Sequence, residues 1–117
     1  MAEKRRTPRI QPYVARCGVV AGERRLAGYL ADLSPRGARV SCEAPPPVPG
    51  EAVVLEVRFG RQPRYSRLPA EVKWVKASAE GALGHTFGLT FTGVTPEEQR
   101  VLESVVEEFH RRAAQLQ

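Results

Sequence analysis

The chain has 117 residues and a mass of 12.9 kDa, the size of one domain around one core. Its 42% hydrophobic and 26% charged residues are those of a soluble globular protein, and no apolar run approaches the roughly 20 residues of a membrane span. The net charge of +5 lies wholly in residues 1–25, where seven Lys/Arg face two acids, while the remaining 92 residues carry eleven of each sign.

A charged N-terminus, MAEKRRTPRI, has no apolar stretch behind it and is not expected to be a secretory signal. Residues 1–12 read as a flexible basic arm, because beyond Met1 and Ala2 only Ile10 offers apolar surface to hold the first ten residues down. Concentrated cationic charge points to an anionic partner, or simply to a solvated basic tail. The folded part is expected over residues 13–117.

Six strand-like runs follow between turn signals. Tyr13 to Val20 ends at Ala21-Gly22, and Leu26 to Leu33 ends at Ser34-Pro35-Arg36-Gly37. Ala38 to Cys42 ends at the proline tract Pro45-Pro46-Pro47, and Ala52 to Phe59, Tyr65 to Lys76 and His85 to Phe91 complete the set. Alternation supports them: Val53, Leu55, Val57 and Phe59 oppose Val54, Glu56 and Arg58, and Val72 and Trp74 oppose Glu71 and Lys73. Short strands broken about every ten residues predict a mostly β, six-stranded antiparallel barrel or sandwich. Pro69 should mark a bulge or an edge position.

The period then changes. Thr95-Pro96-Glu97-Glu98 has the form of a capped helix start, and a C-terminal helix over 96–115 is predicted. Val101, Leu102, Val105, Val106, Phe109 and Ala113 form its apolar stripe, to be buried against the barrel or a partner.

No catalytic motif is present, so no enzyme is expected. Cys17 and Cys42 read as small buried residues of a reducing, cytoplasmic setting, and with His85 and His110 in unrelated segments they do not make a metal site. His110 reads as a surface or helix-end histidine. Asp32, the only aspartate in the chain, stands at a strand end before Ser34 and Gly37. By itself this is a turn, with Asp and Ser accepting backbone N–H bonds and Gly37 supplying a positive φ.

Two motifs occur in order, however. Arg5-Arg6-Thr7-Pro8-Arg9 contains RxxxR, and Asp32-Leu33-Ser34-Pro35-Arg36-Gly37 contains DxSxxG. With Ala38-Arg39-Val40, Val72-Lys73-Trp74-Val75, Gly88-Leu89-Thr90-Phe91 and a closing helix, the chain resembles the PilZ domain family across residues 4–112. The resemblance implies a six-stranded antiparallel barrel with a C-terminal helix. It also implies a non-catalytic receptor for the bacterial second messenger cyclic di-GMP, relaying its signal to an unidentified protein partner in motility, pilus or biofilm control.

Carried onto this sequence, the ligand-binding residues are Arg5, Arg6, Arg9, Asp32, Ser34 and Gly37, with Lys4, Arg36, Arg39, Trp74 and Gly88 as further candidates. The residue types suit such a ligand: an arginine fork matches the guanine O6/N7 edge or phosphate oxygens, and a carboxylate accepts from the guanine N1–H and N2 amine. Lys4 stands where the family tunes binding of one nucleotide or a stacked pair. Arg61, Arg64 and Arg67 either extend the anionic site or form a solvated hairpin tip. The alternative is an adaptor of the same fold that works by protein contact without nucleotide. Membrane insertion is not expected, nor is a nucleic-acid partner, because most of the eight aromatics are needed for the core rather than for stacking bases. No cofactor is implied.

Overall fold

A computed structural model describes residues 15–58, 65–77 and 84–115. It contains β1 (Ala15–Ala21), β2 (Arg24–Leu33), β3 (Gly37–Cys42), β4 (Ala52–Val57), β5 (Ser66–Ala77), β6 (His85–Phe91) and α1 (Pro96–Gln115). The expected arm, with Lys4, Arg5, Arg6 and Arg9, lies outside the described residues, as do Arg61 and Arg64.

The strands close into an antiparallel barrel in the order β1-β2-β3-β6-β5-β4, with β4 returning to β1. Closure follows from the pairing of β1 with both β2 and β4, and it removes every free sheet edge. The β1–β2 hairpin turns on Gly22 at φ 63° and Glu23. Only the first of these has positive φ, the pattern that matches the strand twist in a two-residue turn. The six strands are those expected from the alternation, with end shifts of a residue or two at the described termini.

Inward residues fill the barrel: Leu30, Leu33, Val40, Leu55, Val57, Leu68 and Phe87 are completely buried. The helix start carries the expected capping box. Thr95 Oγ1 accepts from the Glu98 N–H at 3.1 Å, and Glu98 Oε1 accepts from the Thr95 N–H at 2.9 Å. Leu102, Val105 and Phe109 of α1 join the barrel core, with Val106 packed beside them. The stripe therefore closes on its own barrel, except that Val101 is 39% exposed.

Two register shifts change which residues face outward. Between β2 and β3, Leu30 pairs with Val40 but Asp32 pairs with Arg39, so Ala31 is an extra residue. Strict alternation would have put Asp32 on the side of Leu30, inside the barrel. The bulge turns it out and lets Leu33 return to the core. Between β5 and β6, Val72 pairs with Leu89 and Trp74 with Gly88, so Lys73 is extra. Trp74 is therefore not on the inner face with Val72, as the alternation predicted. It stands outside the barrel, 42% exposed. Of the described aromatics Phe87 and Phe109 are buried, Phe91 packs against the core and Tyr65 is exposed; Tyr13 and Phe59 lie outside the described residues.

Pro69 pairs with Val54 of β4, and its carbonyl accepts from the Thr92 N–H at 3.0 Å. Its nitrogen thus faces the chain just past the end of β6, where the missing N–H interrupts no ladder. That is the edge-like position expected, and the bulge of β5 comes four residues later.

No helix among the described residues is long and apolar enough to cross a membrane.

Candidate functional site

The sole aspartate sits on the outer surface, where the Ala31 bulge places it. Its Oδ1 accepts from the Leu33 N–H at 2.9 Å, which fixes the carboxylate while leaving it exposed. The loop that follows is held by Ser34. The Ser34 N–H donates to the Gly37 carbonyl at 2.9 Å, and Ser34 Oγ accepts from the N–H groups of Arg36 and Gly37 at 3.2 and 3.3 Å. The serine hydroxyl is thus committed to shaping the turn. The Arg36 carbonyl accepts from the Phe91 N–H at 2.9 Å, tying the loop to the end of β6 and leaving the Arg36 side chain exposed.

Gly37 does not supply a positive φ; among the described residues that conformation belongs to Gly22, Gly50 and Gly93. Its role is proximity. A Cβ on Gly37 would fall 1.9 Å from the Leu89 carbonyl oxygen and 3.3 Å from Thr90 Cα, so any side chain would force β3 away from β6.

The strand register brings four candidate residues into one row across the outside of the barrel. Asp32 on β2 is opposite Arg39 on β3, Arg39 is opposite Gly88 on β6, and Gly88 is opposite Trp74 on β5. The row spans three interstrand gaps, about 14 Å. Gly88 is buried only because the indole lies across it: a Cβ there would meet Trp74 Nε1 at 2.2 Å. A carboxylate, a guanidinium and an indole thus share one solvent-facing strip. That set can read a hydrogen-bonding base edge, neutralise an anion and stack on a ring.

The start of the barrel adjoins this strip, since Ala15, the first described residue of β1, pairs with Leu30, two residues before Asp32. Arg67, the described member of the arginine triplet, does not extend it. It lies seven residues from Trp74 along β5, about 23 Å, and ion-pairs with Glu56.

One residue at the site had no signal in the sequence. His110 Nε2 lies 2.9 Å from the Leu33 carbonyl, so the helix end is tied to the backbone beside Asp32. The ring also stands edge-on to Phe109, with centroids 5.4 Å apart. The partners are 77 positions apart, a separation no local pattern reveals, and the expectation of a surface or dipole histidine missed the contact.

Cys17 and Cys42 are buried and form no disulfide. Burial, reinforced by the neighbouring Cys42, pushes the Cys17 thiol up to about 12. Burial also raises Cys42, against a smaller opposing effect of Arg24. Neither is a thiolate near neutrality, so neither is a nucleophile or a metal ligand as it stands. Among the described residues no three His, Cys, Asp or Glu side chains gather into a possible metal site.

Comparison with known proteins agrees with this architecture. The chain resembles the PilZ domain of CeSA from a cellulose-synthesising bacterium, at 17% identity over 86% of this chain and 96% of that one, with a TM-score of 0.66. It resembles the PilZ domain of Escherichia coli YcgR, solved with c-di-GMP, at 19% identity over 87% and 86%, with a TM-score of 0.69. It also resembles the Bacillus subtilis inhibitor of motility MotI/DgrA at 16% identity, TM-score 0.62, covering 94% of this chain and about half, 52%, of that one. These identities establish a shared fold. No curated protein matches the sequence. The sequence profile of the PilZ domain matches residues 3–108, and with the closed barrel and its terminal helix in place, the chain belongs to the PilZ domain family.

Proposed function

We propose that this protein is a non-catalytic receptor for cyclic di-GMP, bound on the outer strip between Asp32 and Trp74 and closed over by the arginines of the N-terminal segment. The observation that carries the reading is the single row Asp32–Arg39–Gly88–Trp74, placed beside the point where the chain enters the barrel. Arg9 is six residues before Ala15, a reach of at most about 20 Å. The YcgR domain of the same fold, solved with c-di-GMP, supports the choice of ligand.

Each group has a task on this reading. The Asp32 carboxylate accepts from the N1–H and N2 amine of one guanine, a pattern adenine does not offer. Arg5 and Arg9 place their planar forks on the guanine O6/N7 edge and on phosphate oxygens, with Arg6 adding charge. The exposed Trp74 ring stacks on a base, a contact of about 1–3 kcal/mol, and Arg39 neutralises phosphate. Ser34 and Gly37 act indirectly, by holding the loop and keeping β3 against β6. Lys4 and Arg36 supply further positive charge at the rim.

Fixing seven or eight residues of the N-terminal segment costs of order 1–2 kcal/mol each, so closure needs several charge-assisted contacts made together. A ligand with two phosphates provides them. Ligand binding then reshapes the surface beside Asp32, and a protein partner in motility, pilus or biofilm control, in the cytoplasm, reads the change. Isothermal titration tests the proposal. Binding of cyclic di-GMP at micromolar Kd or tighter, about −8 kcal/mol, with cyclic di-AMP much weaker, is expected. Equal affinity for the two would remove the guanine-reading role of Asp32, and no binding to either would favour the nucleotide-independent adaptor.

A further inference from the structure

A second feature lies further round the barrel, across β1, β2 and the residue before β5. Two adjoining hollows of about 440 and 400 Å³ share Arg16, Arg25 and Ala27. Together they form one elongated, open groove running from Glu43 to Tyr65. Its floor is low because the outward residues Gly18 and Ala27 face each other in the β1–β2 register. On β2 the groove begins at Tyr29, three residues from Asp32, and its floor at Ala27 is five residues from Asp32, about 17 Å along the strand; it borders the proposed nucleotide strip but includes none of its four residues, and it does not rest on that reading.

The walls are cationic and aromatic. Arg25 and Arg58 stand 5.8 and 5.1 Å from the centre of the Tyr65 ring, which is 45% exposed. Beneath them Glu56 is only 1% exposed. It ion-pairs with Arg25, whose Nη2 is 2.6 Å from Oε1, and with Arg67. The Arg25 contact is an ion contact rather than an aligned hydrogen bond, since Oε1 makes none. One buried carboxylate therefore positions two guanidinium groups beside the groove. Among the described residues Arg16 and Arg58 have no acidic partner, so the groove keeps an excess of positive charge.

We propose that this groove docks an extended acidic segment of a partner protein, with an apolar or aromatic side chain of that segment seated against Tyr65. Three observations favour a peptide. The barrel is closed, so a partner strand cannot pair with a free edge and recognition has to run through side chains. Arginine and tyrosine around a small-residue floor are the residue types that anchor protein contacts, and Glu56 holds part of the set in place before binding. A nucleic acid fits less well. It needs successive stacking rings, whereas the two rings that line the groove, half-buried Tyr29 and exposed Tyr65, stand in different hollows.

The test is selection of a random dodecapeptide display library on the full chain, followed by fluorescence anisotropy of the selected peptides. Wild type is compared with Arg16→Glu/Arg58→Glu, which leaves the Glu56 pairs intact, with Tyr65→Ala and with Asp32→Ala. Enriched peptides should carry several acidic residues with an aromatic or branched side chain. They should lose about tenfold or more in affinity on charge reversal and on Tyr65→Ala, and bind Asp32→Ala as they bind wild type. Should the charge-reversed chain fail to fold, Tyr65→Ala decides alone. No enrichment, enrichment without acidic bias, affinity indifferent to these changes, or tighter binding of an oligouridylate than of any peptide would overturn the proposal.

Discussion

Two glycines on β3 and β6 make a sharp contrast, because an added methyl meets backbone at one and a side chain at the other. In Gly37→Ala the new Cβ would stand 1.9 Å from the Leu89 carbonyl oxygen and 3.0 Å from its carbon. Neither atom can move without separating β3 from β6, whose register runs from Gly37↔Thr90 to Cys42↔His85. Overpacking costs about 1–3 kcal/mol, and loosening two ladder bonds adds about 1 kcal/mol each. The expected loss is about 3–5 kcal/mol, a large share of a typical total of about 5–15 kcal/mol. In melting temperature that is about 15 °C or more for a domain of this size. In Gly88→Ala the clash is with Trp74, 2.2 Å from Nε1, and a ring already 42% exposed can swing outward. The fold should lose about 1 kcal/mol, partly offset because alanine is favoured over glycine within a strand. Thermal melts followed by far-ultraviolet circular dichroism separate the two. Since Trp74 is the only tryptophan, its emission should also shift in Gly88→Ala and report the displaced ring. Equal melting points for Gly37→Ala and wild type, or equal large losses for both variants, would refute the argument that the neighbour's mobility sets the cost.

Three other outcomes follow from named contacts. Asp32→Ala should weaken cyclic di-GMP by one to two powers of ten while costing the fold about 1 kcal/mol. In a double-mutant cycle with Arg9→Ala the titrated binding losses should be non-additive and the stability losses additive. His110→Ala removes the bond to the Leu33 carbonyl; about 1 kcal/mol of stability should be lost, with faster amide exchange in the last turns of α1. Cys17 has its folded value raised from 9.0 to about 12, so folding opposes its ionisation. Its contribution is complete below pH 9 and lost as pH rises toward 12, with a slope of at most about 1.4 kcal/mol per pH unit. Urea denaturation across that range should show a shallower fall in Cys17→Val than in wild type.

The parts of this molecule that were legible in its sequence are those governed by local period. Val53, Leu55 and Val57 alternate with polar or half-covered neighbours, and each lies in the barrel core. Thr95-Pro96-Glu97-Glu98 contains its own hydrogen-bond partners, so the capping box could be read directly. What alternation could not show was the two bulges. One extra residue at Ala31 and one at Lys73 reverse the facing of everything beyond them, and they put Asp32 and Trp74 on the same outer surface. Asp32, Arg39, Gly88 and Trp74 could each be named from the resemblance, but their alignment in one row depends on those shifts. Glu56 was hidden for a related reason. Its outward register position is that of a solvated residue, and it is buried because Arg25 and Arg67 reach over it from neighbouring strands.

The central claim is that cyclic di-GMP sits on the strip from Asp32 to Trp74, and a two-dimensional ¹H–¹⁵N NMR titration tests it most directly. On adding cyclic di-GMP, the amides of Asp32, Arg39 and Gly88 and the indole N–H of Trp74 should shift together with one saturation curve. The amides of Gly18, Arg25 and Ala27, toward the far end of β2 and its neighbour β1, should hold still. Shifts confined to those residues, or a Trp74 indole signal unmoved at saturation, would contradict the placement.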